Sequence, residues 1–351
     1  MTLVELGGWP GVLRRLVAGD DLTAAEAGTV LGEILEGLAA PSQIAAYVVA
    51  LRMKGETVAE VAGMVDAMLA AAETITLPAG IDPVDTCGSG GSPTRRVAAF
   101  NVSTIASFVI AGAGGRVCKH GGRAATATSS SADLLEALGV AVELGPDGVV
   151  RCLEEAGIGF CFAPRFHPAM RHAGPVRREL GVPTVFNFLG PLSNPALVRR
   201  QVLGVSDPAM AEKAAGVLLA RGAERALVVH GHDGLDELTT LTTSSVIELR
   251  DGELRRYTVD PADLGVLHDD PSAVRGGDVS VNVDLTRRVL DGERLGHRDL
   301  VLLNAAAGLV AAGVVDDLAD GIAAGGEAID QGKAAAVLDD LVRVSKAVSA
   351  A

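Results

Sequence analysis

At 351 residues, with 48% hydrophobic residues, the chain is long enough for one large or two modest domains with a full core. A formal net charge of −14 argues against nucleic acid or an anionic membrane as the main partner. No uncharged apolar run of about 18 residues suggests a span, and Cys87, Cys118, Cys152 and Cys161 lack Cys-x-x-Cys spacing, so reduced, buried thiols in a cytoplasmic protein are expected.

Residues 9 to 73 have helical periodicity. Trp9, Val12, Leu13, Leu16 and Val17 recur at helical spacing. Thr23 and Glu26 form a capping box ahead of an apolar face of Leu31, Ile34, Leu35 and Leu38. Pro41-Ser42 opens a third helix, with Ile44, Tyr47, Val48 and Leu51 on one face. Thr57 and Glu60 cap a fourth, to Ala72. No strand signal precedes residue 80. A small all-helical domain over 1–76 is expected, with a helix over His167 to Leu180 packing back onto it within 167–182.

After the linker Pro78 to Pro83 the pattern changes to short β-branched runs alternating with Ala-rich helices. The strand candidates are Val84 to Cys87, Arg116 to Lys119, Ile158 to Phe162, Thr184 to Phe188, Gln201 to Val205, Arg225 to His230 and Ser245 to Arg250. Arg250-Asp251-Gly252-Glu253 signals a hairpin, so one antiparallel portion is expected. Residues 80–351 should form a larger α/β domain with a largely parallel central sheet. Its last third, Leu300 to Val348, has the pattern of Ala/Gly-rich helix. All seven Phe lie between Phe100 and Phe188, so an aromatic-lined pocket, if there is one, belongs there.

The chemistry concentrates between Asp85 and Gly139. A strand ending in Gly88, with Gly90 and Gly91 following, lets the backbone approach a ligand closely. Asn101, Ser103 and Thr104 stand at cap positions before the apolar run Ile105 to Ala113. A glycine loop feeding a helix N-terminus is an anion site. Lys119, His120 and Arg123 follow and add positive charge, so phosphate or pyrophosphate is the expected ligand. No third glycine completes a dinucleotide fingerprint, and no Gly-Lys-Ser/Thr closes a Walker loop.

Asp236 and Glu237 lie in a loop just after a predicted strand. Adjacent carboxylates in a loop can face one cavity, and one or two carboxylates plus phosphate oxygens suit Mg²⁺. His120, His167 and His172 match no compact zinc spacing. Among Arg171, Arg177 and Arg178, one guanidinium could clamp a carboxylate in bidentate fashion.

These motifs carry a resemblance over nearly the whole chain. They are Gly88-Ser-Gly-Gly91, Asn101-Val-Ser-Thr104, Lys119-His-Gly, Ser131 to Gly139, Phe162 to Pro168, Val176 to Gly181, Phe186 to Pro195 and His230 to Leu238. The chain resembles the anthranilate phosphoribosyltransferase family, whose fold is of the nucleoside phosphorylase type. The resemblance implies phosphoribosyl transfer from phosphoribosyl pyrophosphate to the amine of anthranilate, or of a closely related aromatic acid, in tryptophan biosynthesis. It also implies Mg²⁺ and a homodimer formed through the helical domain. Gly88, Ser89, Gly90, Gly91, Ser92, Asn101, Ser103, Thr104, Lys119 and Thr126 would hold the donor. Ser103, Asp236 and Glu237 would serve Mg²⁺. His120, Gly122, Pro164, His167, Met170 and Arg177 would meet the acceptor. A nucleoside-phosphorylase-like activity on the same fold, or a catalytically weak ligand-binding paralogue, are the alternatives.

The sequence departs from the family's usual motifs at the donor loop. Ser89, Ser92 and Pro93 replace Thr, Asp and Gly, about three extra residues precede Asn101, Gly122 replaces Asn, and Thr126-Ala127 replaces Ser-Ser. Arg95 and Arg96 in the insertion are expected to supply replacement contacts to pyrophosphate.

Overall fold

The computed structural model describes residues 1–90, 100–123 and 128–350. Four helices come first: α1 (Gly8–Ala18), α2 (Ala24–Leu35), α3 (Pro41–Lys54) and α4 (Val58–Ala70). Both expected capping boxes are formed, Thr23 with Glu26 and Thr57 with Glu60. Ile44, Tyr47, Val48 and Leu51 are the buried face of α3. Two apolar positions at helical spacing are not buried. Val17 is 80% exposed, and Leu38, beyond the end of α2, is 63% exposed.

The α/β region then runs β1 (Val84–Gly88), α5 (Val102–Gly112), β2 (Val117–Gly121), α6 (Ser131–Ala137), α7 (Pro146–Ala156), β3 (Ile158–Phe162), α8 (Ala163–Phe166), α9 (Gly174–Leu180), α10 (Phe186–Leu192), β4 (Arg200–Gly204), α11 (Pro208–Ala220), β5 (Arg225–Gly231), β6 (Ser244–Arg250), β7 (Glu253–Val259), α12 (Val279–Leu290), α13 (Gly296–Ala312), α14 (Leu318–Asp330) and α15 (Lys333–Ser349). The sheet order is β3-β2-β1-β4-β5-β6-β7. The five strands β3 to β5 are parallel, and β6 and β7 are antiparallel. Asp251 (φ 53) and Gly252 (φ 77) make the β6–β7 turn with two positive φ angles, the type I′ geometry that matches strand twist.

Two sequence expectations change here. Thr184 to Phe188 is not a strand: Phe186, Phe188, Leu189 and Leu192 are buried at helical spacing in α10. The Asn187 side chain accepts from the Thr184 N–H at 3.1 Å, which folds the entry as a turn. Nor is His167 to Leu180 one helix. His167 leaves helical geometry (φ −121, ψ 59), and Pro168–His172 is a 3₁₀ turn. Helix α9 then restarts at Gly174-Pro175, where the proline ring is tolerated at the first turn.

The core is two clusters, one on each face of the sheet. The first joins α5, α7, α13 and α15 to the sheet. The second joins the four N-terminal helices to α10, α11 and the opposite face, and it includes Ala173, Val176, Leu203, Val228 and Leu249. All seven Phe are buried core residues. The four thiols are free, with Cys118 and Cys161 3.4 Å apart on neighbouring strands. Burial raises the Cys87 and Cys161 thiols well above the usual range, so they stay protonated. Among the described residues no helix is long and apolar enough to cross a membrane.

Candidate active site

Strand β1 is followed by β2 on one side and, later, by β4 on the other. The order reverses there, and the crevice beyond β1 and β4 is where open parallel sheets bind ligands. The two strands end in register, Gly88 opposite Gly204. The acidic loop after β5 folds back across both ends. A Cβ on Gly88 would lie 2.3 Å from Asp236 Oδ2, and one on Gly204 would lie 1.7 Å from Asp236 O. Only glycine leaves room for that crossing.

The glycine loop after β1 is tied to this crossing. The Gly90 N–H donates to Asp236 Oδ2 at 2.8 Å, with Gly90 at φ 68. The Ser89 N–H donates to Gly204 O at 2.8 Å, and Ser206 Oγ donates to Gly90 O at 3.0 Å. Gly91, Ser92 and Thr126, together with the proposed Arg95–Arg96 contacts, lie outside the described residues.

Asn101 occupies the N-cap position of α5, but its side chain does not cap the helix. Its Oδ1 instead accepts from Ser129 Oγ at 2.9 Å and Asn282 Nδ2 at 3.0 Å. Thr104 is buried in the first turn. Lys119, 2% exposed on β2, points its ammonium at Thr86 O and at Ser103 Oγ, the latter at 3.1 Å. The buried Asp85 carboxylate accepts from the His120 N–H at 3.0 Å. Burial pushes Asp85 up, against the pull of Lys119.

Successive strand residues face opposite ways, and β2 uses this. Lys119 turns toward Thr86 and Ser103, whereas His120 turns toward α10. His120 Nδ1 lies 3.0 Å from Gly190 O, and His167 Nε2 lies 2.9 Å from Ser193 O. A carbonyl only accepts, so those nitrogens carry the protons. His120 Nε2 and His167 Nδ1 are therefore lone-pair acceptors, both buried with no hydrogen-bond partner among the described residues, on rings 5.1 Å apart. Burial, then the neighbouring His167, holds His120 down to about 3, and burial alone lowers His167. Both are neutral at physiological pH.

Around them, Gly122 adjoins Ala163 and Pro164: a Cβ there would sit at 3.4 Å and 3.9 Å from them, ordinary contact. Pro164 is exposed and Met170 half-buried. Arg177 lies over the Phe186 ring at 5.7 Å, and burial lowers its pKa. It makes no ion pair among the described residues, unlike Arg123, which is held by Asp133 and Glu136.

Asp236 is fully buried and Glu237 5% exposed. Among the described residues no group of three or more His, Cys, Asp or Glu is placed to hold a metal. The all-oxygen donors of Asp236, Glu237 and Ser103 fit a hard cation completed by phosphate oxygens and water. The Lys119 ammonium already at Ser103 disfavours a second cation there, so the carboxylates are the firmer part of the set. Sequence reasoning missed Gly204, Ser129 and Asn282. Asn282 is 181 residues from Asn101, and no local pattern reports such a contact.

A switch-point site joining a glycine loop, a buried lysine and an acidic loop, with a helical bundle beside it, defines a two-domain glycosyl transferase. Residues 80–335 match the family described as glycosyl transferase family, a/b domain, and residues 10–72 its helical bundle domain. The anthranilate phosphoribosyltransferase of Roseiflexus castenholzii is 51% identical over 333 residues, 94% of this chain and 96% of that one. That of Salinispora arenicola is 50% identical over 347 residues, 97% of each. The crystal structure of the Thermus thermophilus enzyme superposes with a TM-score of 0.88 at 40% identity, covering 95% of this chain and 99% of that one. The chain belongs to the anthranilate phosphoribosyltransferase family. A Saccharomyces cerevisiae member in complex with phosphoribosyl pyrophosphate and Mg has a TM-score of 0.86 at 26% identity, covering 97% and 98%.

Proposed function

We propose that this chain transfers the phosphoribosyl group of phosphoribosyl pyrophosphate to the amine of anthranilate, the phosphoribosyl step of tryptophan biosynthesis. The observation that carries the reading is the division of labour at the end of β2, a cation on one side and a neutral imidazole on the other. Gly88, Ser89, Gly90, Asn101 and the α5 N-terminus would hold the donor's phosphates, with Lys119 supplying full charge. Gly91, Ser92 and Thr126 are assigned to the donor on the family resemblance. Arg177, with no ion pair among the described residues, would take the acceptor carboxylate. Gly122, Pro164 and Met170 would bound the ring.

The amine nitrogen attacks the ribose anomeric carbon as the bond to pyrophosphate oxygen breaks, through an oxocarbenium-like transition state. Mg²⁺, held by Asp236 and Glu237 and completed by pyrophosphate, would neutralise charge on the departing group. The lone pairs of His120 and His167 would orient the amine by accepting its N–H. A group held down to about 3 is too weak a base to do more. The N-aryl ammonium formed on attack is acidic and gives its proton to water without a strong base.

A cytoplasmic homodimer accompanies this reading. Val4, Val17, Leu38 and Met53, all in or beside the N-terminal helices, are exposed apolar residues that a second copy would cover. The test is loss of anthranilate fluorescence on adding phosphoribosyl pyrophosphate and Mg²⁺. Turnover requiring all three supports the assignment. Phosphate-driven cleavage of a pyrimidine nucleoside, with anthranilate untouched, would replace it with phosphorolysis.

A further inference from the structure

The orientation of the Asn101 amide is set from outside the site, by a helix that the family motifs do not include. Three hydrogen bonds form a one-way relay. The main-chain N–H of Gly277 can only donate, and it donates to Asn282 Oδ1 at 3.1 Å. That fixes the Asn282 oxygen on the Gly277 N–H, so the NH₂ end lies between Asn101 and, at 3.5 Å, Gly277 O. Asn282 Nδ2 then donates to Asn101 Oδ1 at 3.0 Å. Ser129 Oγ donates to the same oxygen at 2.9 Å. Asn101 therefore spends its carbonyl end inward, and its NH₂ end makes no hydrogen bond among the described residues.

The relay is anchored at both ends. Thr128 Oγ1 donates to Gly277 O at 2.9 Å, and Asp278 caps α12 by accepting from the Val281 N–H at 3.0 Å. Asn282 is fully buried one turn into α12, and Asn101 is 5% exposed. In so dry a setting a reversed Asn101 amide would set its NH₂ against that of Asn282, donor against donor, which costs far more than in water.

We propose that Asn282 is a positioning residue for the phosphoribosyl donor. It locks Asn101 with its two N–H groups outward, the polarity that a phosphate oxygen needs. The inference rests on the donor-site reading above, and it adds α12 and the Gly277 turn to the machinery behind that site.

Asn282→Asp keeps size and still accepts from Gly277 but cannot donate to Asn101. The Asn101 amide should then reverse and offer its oxygen to the donor. Calorimetry of the full chain with phosphoribosyl pyrophosphate and Mg²⁺ should show donor affinity about 10-fold weaker or worse, because a donor to a charged oxygen has become an acceptor. The anthranilate KM should hold. Combining Asn282→Asp with Asn101→Ala should cost no more than Asn101→Ala alone, since one acts through the other. Asn101→Asp, whose carboxylate the relay accepts as readily as an amide oxygen, should keep the wild-type Tm and lose donor binding. Wild-type donor affinity in Asn282→Asp or in Asn101→Asp overturns the proposal, as does an additive double variant. If instead the wild-type protein fails to bind phosphoribosyl pyrophosphate, the donor-site reading itself falls and the relay has no role in it.

Discussion

The Gly90 main-chain N–H donates to the Asp236 carboxylate at 2.8 Å, across 146 residues of chain. The glycine loop and the acidic loop are tied together there. On the proposed reading, a cation on the carboxylates and an anion on the glycines would thereby be kept at a fixed separation, which is the preorganisation that charge stabilisation needs.

Gly204 tests that unit. Gly204→Ala places a methyl 1.7 Å from Asp236 O, an overlap the backbone must relieve by moving. A displacement of about 1 Å at a reacting group costs about 100-fold in rate. We expect kcat/KM to fall by about that factor. A wild-type rate in Gly204→Ala would mean that the acidic loop is not needed where it lies.

Removing the carboxylates tests the metal assignment. The Asp236→Ala, Glu237→Ala double variant should lose Mg²⁺-dependent turnover at every Mg²⁺ concentration, because both hard oxygen ligands are gone. Full activity in that protein, measured across a Mg²⁺ titration, rules the pair out as the metal site.

Arg177→Ala should raise the anthranilate KM by about 10- to 150-fold, from roughly 1.5–3 kcal/mol for a charge-assisted bidentate contact. The donor KM should be unchanged. Arg177→Lys should restore little, since an ammonium lacks the planar fork that lies over Phe186. Equal losses for both substrates would contradict a carboxylate clamp.

Acid should unfold this protein in a window set by its imidazoles. His120 is held down to about 3 and His167 is lowered, against roughly 6.5 in the unfolded chain. Below pH ~6.5 the unfolded state therefore binds more protons, and stability falls as pH drops toward the folded values. The slope reaches about 1.4 kcal/mol per pH unit for each such group. Denaturant melts between pH 7 and 5 should show it, and His120→Gln should flatten the slope by one proton's worth. An unchanged slope would mean that His120 is solvated.

What the sequence made legible was local. Thr23–Glu26 and Thr57–Glu60 are boxes closed within three residues, Asp251-Gly252 is a turn closed within two, and each formed as its chemistry dictates. The Phe186 segment misled because its apolar residues are a short run whose period only its burial partners reveal. Asn101 misled in another way. A cap is the local use of such a side chain, and Asn282 outbid it from a distance. Val17 and Leu38 match the helical period yet remain exposed, so periodicity there reports a surface patch and not this chain's own core.

The second core cluster gives the N-terminal helices an unusual position in the life of the chain. They leave the ribosome before the sheet does, and the residues that complete their packing, from Ala173 to Leu249, are synthesised more than a hundred positions later. A nascent chain halted near residue 80 would leave uncovered the faces of α3 and α4 that α9, α10 and α11 later meet, and would be a client for chaperones rather than a finished domain. Translation speed through the first half of the sheet therefore bears on the yield of native protein, because these helices must wait for it.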